Sequence, residues 1–133
     1  ERVVRTLTRL GAAVTVEQAR VEADTQGMFQ ARWGIYRLDL FTPSVPFSWE
    51  AMTTRVRIEA LGHSAWILSA EATAVFKLLF FRPKDVIDLQ RLVATMGAKL
   101  DAAYVRDRIV GMMGVDDERT RRWDEIVATY AHG

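Results

Sequence analysis

The stretch Ser69 to Leu89 reads Ser-Ala-Glu-Ala-Thr-Ala-Val-Phe-Lys-Leu-Leu-Phe-Phe-Arg-Pro-Lys-Asp-Val-Ile-Asp-Leu, and it limits the chain more than any other part. Ser69 is an N-cap residue ahead of a helix over Ala70 to Phe81. Pro83 ends that helix, because the residue before a proline avoids helical angles. Val75, Phe76, Leu78, Leu79, Phe80 and Phe81 make it apolar almost all round, so other elements must cover it. Lys77 lies in the middle of this apolar surface. Either its stem snorkels and carries the ammonium to water, or a carboxylate meets it, since an unpaired buried ammonium is too costly to keep.

More helices follow, as that covering requires. Val86, Leu89, Val93 and Met96 mark a second one, stopped at Gly97. Asp101 opens a third through Tyr104, Val105, Ile109 and Met112, closed at Gly114. Asp116 or Asp117 opens a fourth, with Trp123, Ile126, Val127 and Tyr130 on one stripe and Arg119, Arg121 and Arg122 off it.

The first half has a different texture. A helix with Val3, Val4, Leu7 and Leu10 on one face and Arg2, Arg5 and Arg9 on another ends at Gly11, but nothing before it acts as a cap. This uncapped opening suggests a chain cut from something longer. Strand-like runs follow at Ala13 to Val16, Met28 to Trp33, Ile35 to Phe41, Arg55 to Ala60 and Ala65 to Leu68, with polar and turn residues between them. Alternation sets Ile35, Arg37, Asp39 and Phe41 on one face and Tyr36, Leu38 and Leu40 on the other. Val56 and Ile58 point inward, and Leu61-Gly62-His63-Ser64 reads as a tight hairpin connection. Pro43 and Pro46 place a loop between the strand runs. A short helix after it has Ser48 as N-cap and Trp49 and Met52 as apolar contacts. The expected organisation is an α+β portion over 1–68 and a helical region over 69–133.

Composition removes several function classes. With 133 residues, half of them apolar, the chain can bury a real core, yet no run of about 18 apolar residues exists to span a membrane. The absence of cysteine suits a reducing cytoplasm and excludes thiolate and zinc-finger chemistry. A net charge of +1 gives no global pull toward nucleic acid. No helix pair combines a basic recognition face with the short turn of a helix-turn-helix. His63 and His132 have no nucleophile or orienting acid near them in sequence and receive no role.

Three groups of residues point to chemistry. Lys77, in low dielectric, would make a good phosphate clamp. Asp85 and Asp88, three residues apart, project from one face of the second helix near its start. There they serve either the helix dipole or a polar site with Lys77, beside Arg82 and Lys84. Asp39, on a strand otherwise apolar apart from Arg37, could hold Mg²⁺ through oxygen or simply form an exposed ion pair with Arg37.

The succession Arg37-Leu-Asp-Leu-Phe, a hairpin, Leu68-Ser-Ala-Glu, Phe76-Lys-Leu-Leu and Arg82-Pro-Lys-Asp-Val-Ile-Asp-Leu resembles nucleotidyltransferase-fold proteins of the bacterial AbiEii and related toxin–antitoxin type. The resemblance covers nearly the whole chain and is most specific over Leu68 to Leu92. It implies a nucleotidyltransferase-like mixed β-sheet with flanking helices, then a helical C-terminal region. It also implies transfer of a nucleotidyl group from a nucleoside triphosphate, with Mg²⁺, to a hydroxyl of RNA such as tRNA or of a protein, in a toxin that a cognate antitoxin would bind. On that resemblance Asp39 is a catalytic, metal-holding carboxylate and Lys77 a catalytic, nucleotide-binding residue, with Arg82, Asp85 and Asp88 completing the nucleotide site. The family's Gly-Ser and Asp-x-Asp signature occurs nowhere in this sequence, which removes two of its three metal carboxylates. The rival expectation is therefore a catalytically inactive module of the same plan that binds an antitoxin or another subunit.

Overall fold

A computed structural model of the chain describes residues 1–131; His132, left without a role above, lies outside them. The structure is α+β, 60% helical and 18% strand. It divides into two compact units, Glu1–Trp49 and Glu50–Gly133. This division is earlier than the expected one after residue 68, so the second strand hairpin belongs with the C-terminal helices.

The first unit runs α1 (Arg2–Arg9), α2 (Val16–Gln26), β1 (Met28–Trp33) and β2 (Tyr36–Phe41). The expected strand at Ala13 to Val16 shrinks to a single bridge between Ala13 and Arg32. The polar segment after it is helix α2. Its start is fixed by Thr15, whose hydroxyl accepts from the Gln18 N–H at 3.2 Å, and its end by Gly27 at φ 69°. β1 and β2 pair antiparallel from Met28 opposite Phe41 to Trp33 opposite Tyr36. Gly34, at φ 59°, supplies the positive dihedral at the first turn position. The expected alternation holds: Leu38 and Leu40 are half-buried while Arg37, Asp39 and Phe41 are exposed. Phe29, Val4 and Ala19 are buried as one cluster, with Leu7, Val14, Ala23 and Leu40 packed on it.

Helix α3 (Phe47–Thr53) carries the boundary between the units. Its buried residues are Phe47 and Ala51, whereas the expected contacts Trp49 and Met52 are 64% and 50% exposed. The helix starts before Ser48, which is therefore not its cap; the Ser48 N–H donates to the Val45 carbonyl at 2.9 Å.

The second unit continues with β3 (Val56–Ala60), β4 (His63–Ile67), α4 (Ala70–Phe80), α5 (Pro83–Met96), a 3₁₀ turn (Gly97–Lys99), α6 (Ala102–Met113) and α7 (Glu118–Tyr130). β3 and β4 form a separate antiparallel hairpin, so the strands make two two-stranded sheets and not the single mixed sheet that the resemblance implies. At its tip Leu61 and Gly62 take φ 53° and 76°, the pair of positive dihedrals a type I′ turn needs. Val56 is 42% exposed, and only Ile58 of the hairpin is half-buried, so the face on which both were expected to be buried is only partly covered among the described residues.

The helices follow their sequence signals closely. The side chains of Ser69, Asp101 and Asp117 accept from the first-turn N–H groups of α4, α6 and α7. Val75, Leu78, Leu89, Val93, Val105, Ile109, Trp123 and Ile126 are all at most 2% exposed and form the core among α4, α5, α6 and α7. Two polar side chains inside this core are matched, whereas the buried Arg119 Nε on α7 has no hydrogen-bond partner among the described residues. The Trp123 indole donates to the Ala102 carbonyl at 3.1 Å, and the buried Thr120 hydroxyl to the Gly114 carbonyl at 2.9 Å.

Candidate functional site

The α4–α5 corner gathers Lys77, Arg82, Asp85 and Asp88 into one network. Phe81 ends α4 in the left-handed region at φ 52°, which turns the chain sharply, and Pro83 then starts α5 at a position where its missing N–H is no loss. One turn into α5, Asp85 is 1% exposed. Its Oδ2 accepts from the Arg82 backbone N–H at 3.1 Å and from Arg82 Nε at 2.6 Å, while Oδ1 takes Arg82 Nη2 at 3.2 Å. This is half of a capping box: arginine has no acceptor to return to the helix N–H groups, so its guanidinium closes on the same carboxylate instead.

Lys77 reaches the network from α4. Its Nζ lies 2.7 Å from Asp88 Oδ2 and 3.7 Å from Asp85 Oδ1, and its side chain is 26% exposed. Both readings of this lysine therefore hold in part: the stem is covered, and the ammonium rises to a half-open rim where a carboxylate meets it. The hydrogen bonds from Arg82 hold the Asp85 carboxyl below its ordinary value against the opposing effect of burial. The hydrogen bond from Lys77, and then its charge, hold Asp88 down in the same way. The formal charges of the four side chains cancel. Each of the two carboxylates meets a cation of the network.

Asp39 belongs to the first unit and is a member of no such cluster. Its Oδ1 is 3.2 Å from Arg37 Nε, with a weaker contact from Arg37 Nη2 to Oδ2 at 3.4 Å; both side chains are open to solvent. A carboxylate already facing a guanidinium offers Mg²⁺ a site with a competing cation beside it. That ion demands close octahedral oxygen coordination and is repelled by a neighbouring cation. Among the described residues no group of three or more His, Cys, Asp or Glu side chains comes together as a metal site.

A second polar cluster was not foreseen. Glu50 Oε1 accepts from the Tyr104 hydroxyl at 2.7 Å and from Arg108 Nε at 2.6 Å, and the Arg108 guanidinium lies 4.7 Å from the Tyr104 ring centroid. Hydrogen bonds from Tyr104 and Arg108 lower the Glu50 pKa, while burial and then Glu50 raise that of Tyr104. Tyr104 and Arg108 are four residues apart on α6, a spacing visible in sequence; Glu50, on α3, is not foreseeable from it.

The arginines of α7 do not form a free basic face. Arg119 contacts Asp117 at 3.3 Å and stacks 5.5 Å from the Phe81 ring centroid, and Arg122 pairs with Glu125 at 2.9 Å. Arg106 on α6 makes two bonds to Asp124 on α7, at 2.9 and 3.2 Å. Among the described residues no helix is long and apolar enough to cross a membrane.

Compared with protein-family models, curated proteins and solved structures, the chain finds no match in any of the three.

Proposed function

We propose that this chain is a binding module that engages another protein and does not itself transfer a nucleotidyl group. The observation that supports this reading is the fate of the candidate chemical groups. Lys77 is bound to Asp88, Asp85 to Arg82, and Asp39 to Arg37, each within the chain. In this reading the ion pairs serve the fold, holding the α4–α5 corner and bracing the side chains of β2, rather than a triphosphate. The partner in this reading is an antitoxin or another subunit.

Isothermal titration of the chain with ATP and MgCl₂ tests it. The expected result is no saturable heat, for the native chain and for Lys77→Ala and Asp39→Ala alike. Saturable Mg²⁺-dependent binding that either substitution abolishes overturns the proposal in favour of a nucleotidyltransferase using those residues.

A further inference from the structure

The β3–β4 hairpin is the least covered part of the second unit. Every residue of its two strands is exposed except Ile58, which is half-buried, and among the described residues no third strand joins the sheet. A two-stranded ribbon is marginal in water; three or more strands sharing an apolar face are not.

The way the hairpin closes decides which backbone groups stay open. Ala60 pairs with His63 across the two-residue turn Leu61-Gly62, so Ala60, Ile58 and Val56 direct their N–H and C=O groups at β4. Arg57 and Glu59 alternate with them and direct theirs outward, along the far edge of β3. Neither proline nor bulge interrupts that edge, and its two charges are of opposite sign. Laid antiparallel to itself about Ile58, the sequence Val56-Arg57-Ile58-Glu59-Ala60 sets Arg57 opposite Glu59 of the copy, Glu59 opposite Arg57, Val56 opposite Ala60, and Ile58 opposite Ile58. Two cross-strand ion pairs result, and the residues whose backbone groups point outward are the ones that exchange hydrogen bonds. The other face brings Val56, Ile58, Ala65 and Ile67 of both copies into one apolar strip.

We propose that two copies of this chain join through the outer edge of β3, making a four-stranded antiparallel sheet in the order β4-β3-β3-β4 about a two-fold axis at Ile58. The register that matches the charges is symmetric about Ile58, which is what a strand shares with its own copy. β4 has no equivalent, since self-pairing about Ala65 sets Ser64 against Trp66 with no charge to match. Within one chain Arg57 and Glu59 meet at 3.7 Å with side chains 62% and 70% exposed, so water screens that contact and a partner's charges can replace it. The pairing goes beyond the reading of the chain as a binding module and does not depend on it.

Sedimentation equilibrium over micromolar to submillimolar concentrations tests it, and the native chain is expected to show a monomer–dimer equilibrium. Arg57→Glu and Glu59→Arg each turn both cross-strand pairs into like charges and should raise the dimer dissociation constant about tenfold or more, with the helical circular dichroism unchanged. The double variant Arg57→Glu, Glu59→Arg restores opposite charges and should dimerise again, and an equimolar mixture of the two single variants should form a heterodimer. A second readout keeps the charged residues native. The chain has no cysteine, so Ile58→Cys, on the axis and within disulfide reach of its copy, should cross-link on oxidation, whereas Val56→Cys, which faces Ala60, should not. A native chain that stays monomeric, a dimer that Arg57→Glu leaves intact, or a loss that neither the double variant nor the mixture reverses overturns the proposal. So does cross-linking of Val56→Cys as fast as of Ile58→Cys. Nucleotide binding that needs Lys77 would count against the proposed function and leave this pairing untouched.

Discussion

The two units are built from the same kinds of residue and use them unequally. In Glu1–Trp49 the cluster of Val4, Ala19 and Phe29 is small, while Trp33, Ile35, Tyr36 and Phe41 are 52%, 88%, 66% and 60% exposed. In Glu50–Gly133 the helices close over Leu78, Leu89, Ile109, Trp123 and Ile126 almost completely. The difference lies in how many faces each element can hide. A two-stranded sheet with helices on one side hides one face, whereas α4 is apolar nearly all round and is packed by α5, α6 and α7. Apolar content alone does not decide burial; the number of covering elements does.

Core truncation should separate the units most sharply. Leu89→Ala removes a side chain with no exposed surface and is expected to cost about 2–5 kcal/mol. Leu7→Ala, at the half-buried edge of the first cluster, should cost markedly less. Guanidinium unfolding curves of the two variants measure this, and equal losses would break the comparison.

Next in size is Asp85→Ala. The change leaves the Arg82 backbone N–H and its guanidinium without a carboxylate at the α4–α5 corner, while Lys77 keeps Asp88, at a cost of about 2–3 kcal/mol. Asp88→Ala, whose carboxylate is nearer to water, should be milder on the same denaturation scale.

Acid should act mainly on the second unit. Asp85, Asp88, Asp117 and Glu50 all titrate below their ordinary values when folded, against Glu22 in the first unit. A depressed folded pKa means that the unfolded chain binds protons first. Stability is therefore held above about pH 5 and lost as pH falls through the ordinary aspartate value of 3.8 toward the lower folded ones. Thermal midpoints between pH 6 and 2.5 should fall more steeply for the native chain than for Asp85→Asn; parallel curves would rule out this origin.

Removing the Tyr104 hydroxyl, as Tyr104→Phe, deletes one hydrogen bond to Glu50 and keeps the ring under Arg108, an expected loss of about 1 kcal/mol. The smallest effect is a gain. Leu61 is 99% exposed at φ 53°, where a leucine is strained, so Leu61→Asn should stabilise the hairpin by about 0.5–1 kcal/mol. A neutral or destabilising result would show that the β3–β4 turn does not limit the second unit.

How legible each element was follows from the kind of signal it carried. The four C-terminal helices combine apolar periodicity with caps at Ser69, Asp101 and Asp117 and stops at Gly97 and Gly114, so local and long-range demands agree. Helix α2 was missed because it has no apolar stripe. Its evidence was the Thr15-x-x-Gln18 cap pattern, the terminal Gly27 and the Gln18 to Glu22 bond at 2.8 Å. At the candidate site, the contact of Lys77 with the aspartates was one of the two readings that a costly buried charge near two acids left open. The division of labour between them was not legible, since it depends on which carboxylate the turn at Phe81 places inside.

By itself, then, the sequence determined the α+β class, the helical C-terminal region and the alternation of β2, because caps, breakers and periodicity act over a few residues. Only the tertiary structure decided that the strands form two separate hairpins, that Glu50 joins Tyr104 and Arg108, and that Asp85 is buried while Asp88 is not. Those outcomes turn on which elements cover which faces. Covering is a property of the packed chain, fixed by volume and hydrogen-bond satisfaction across tens of residues.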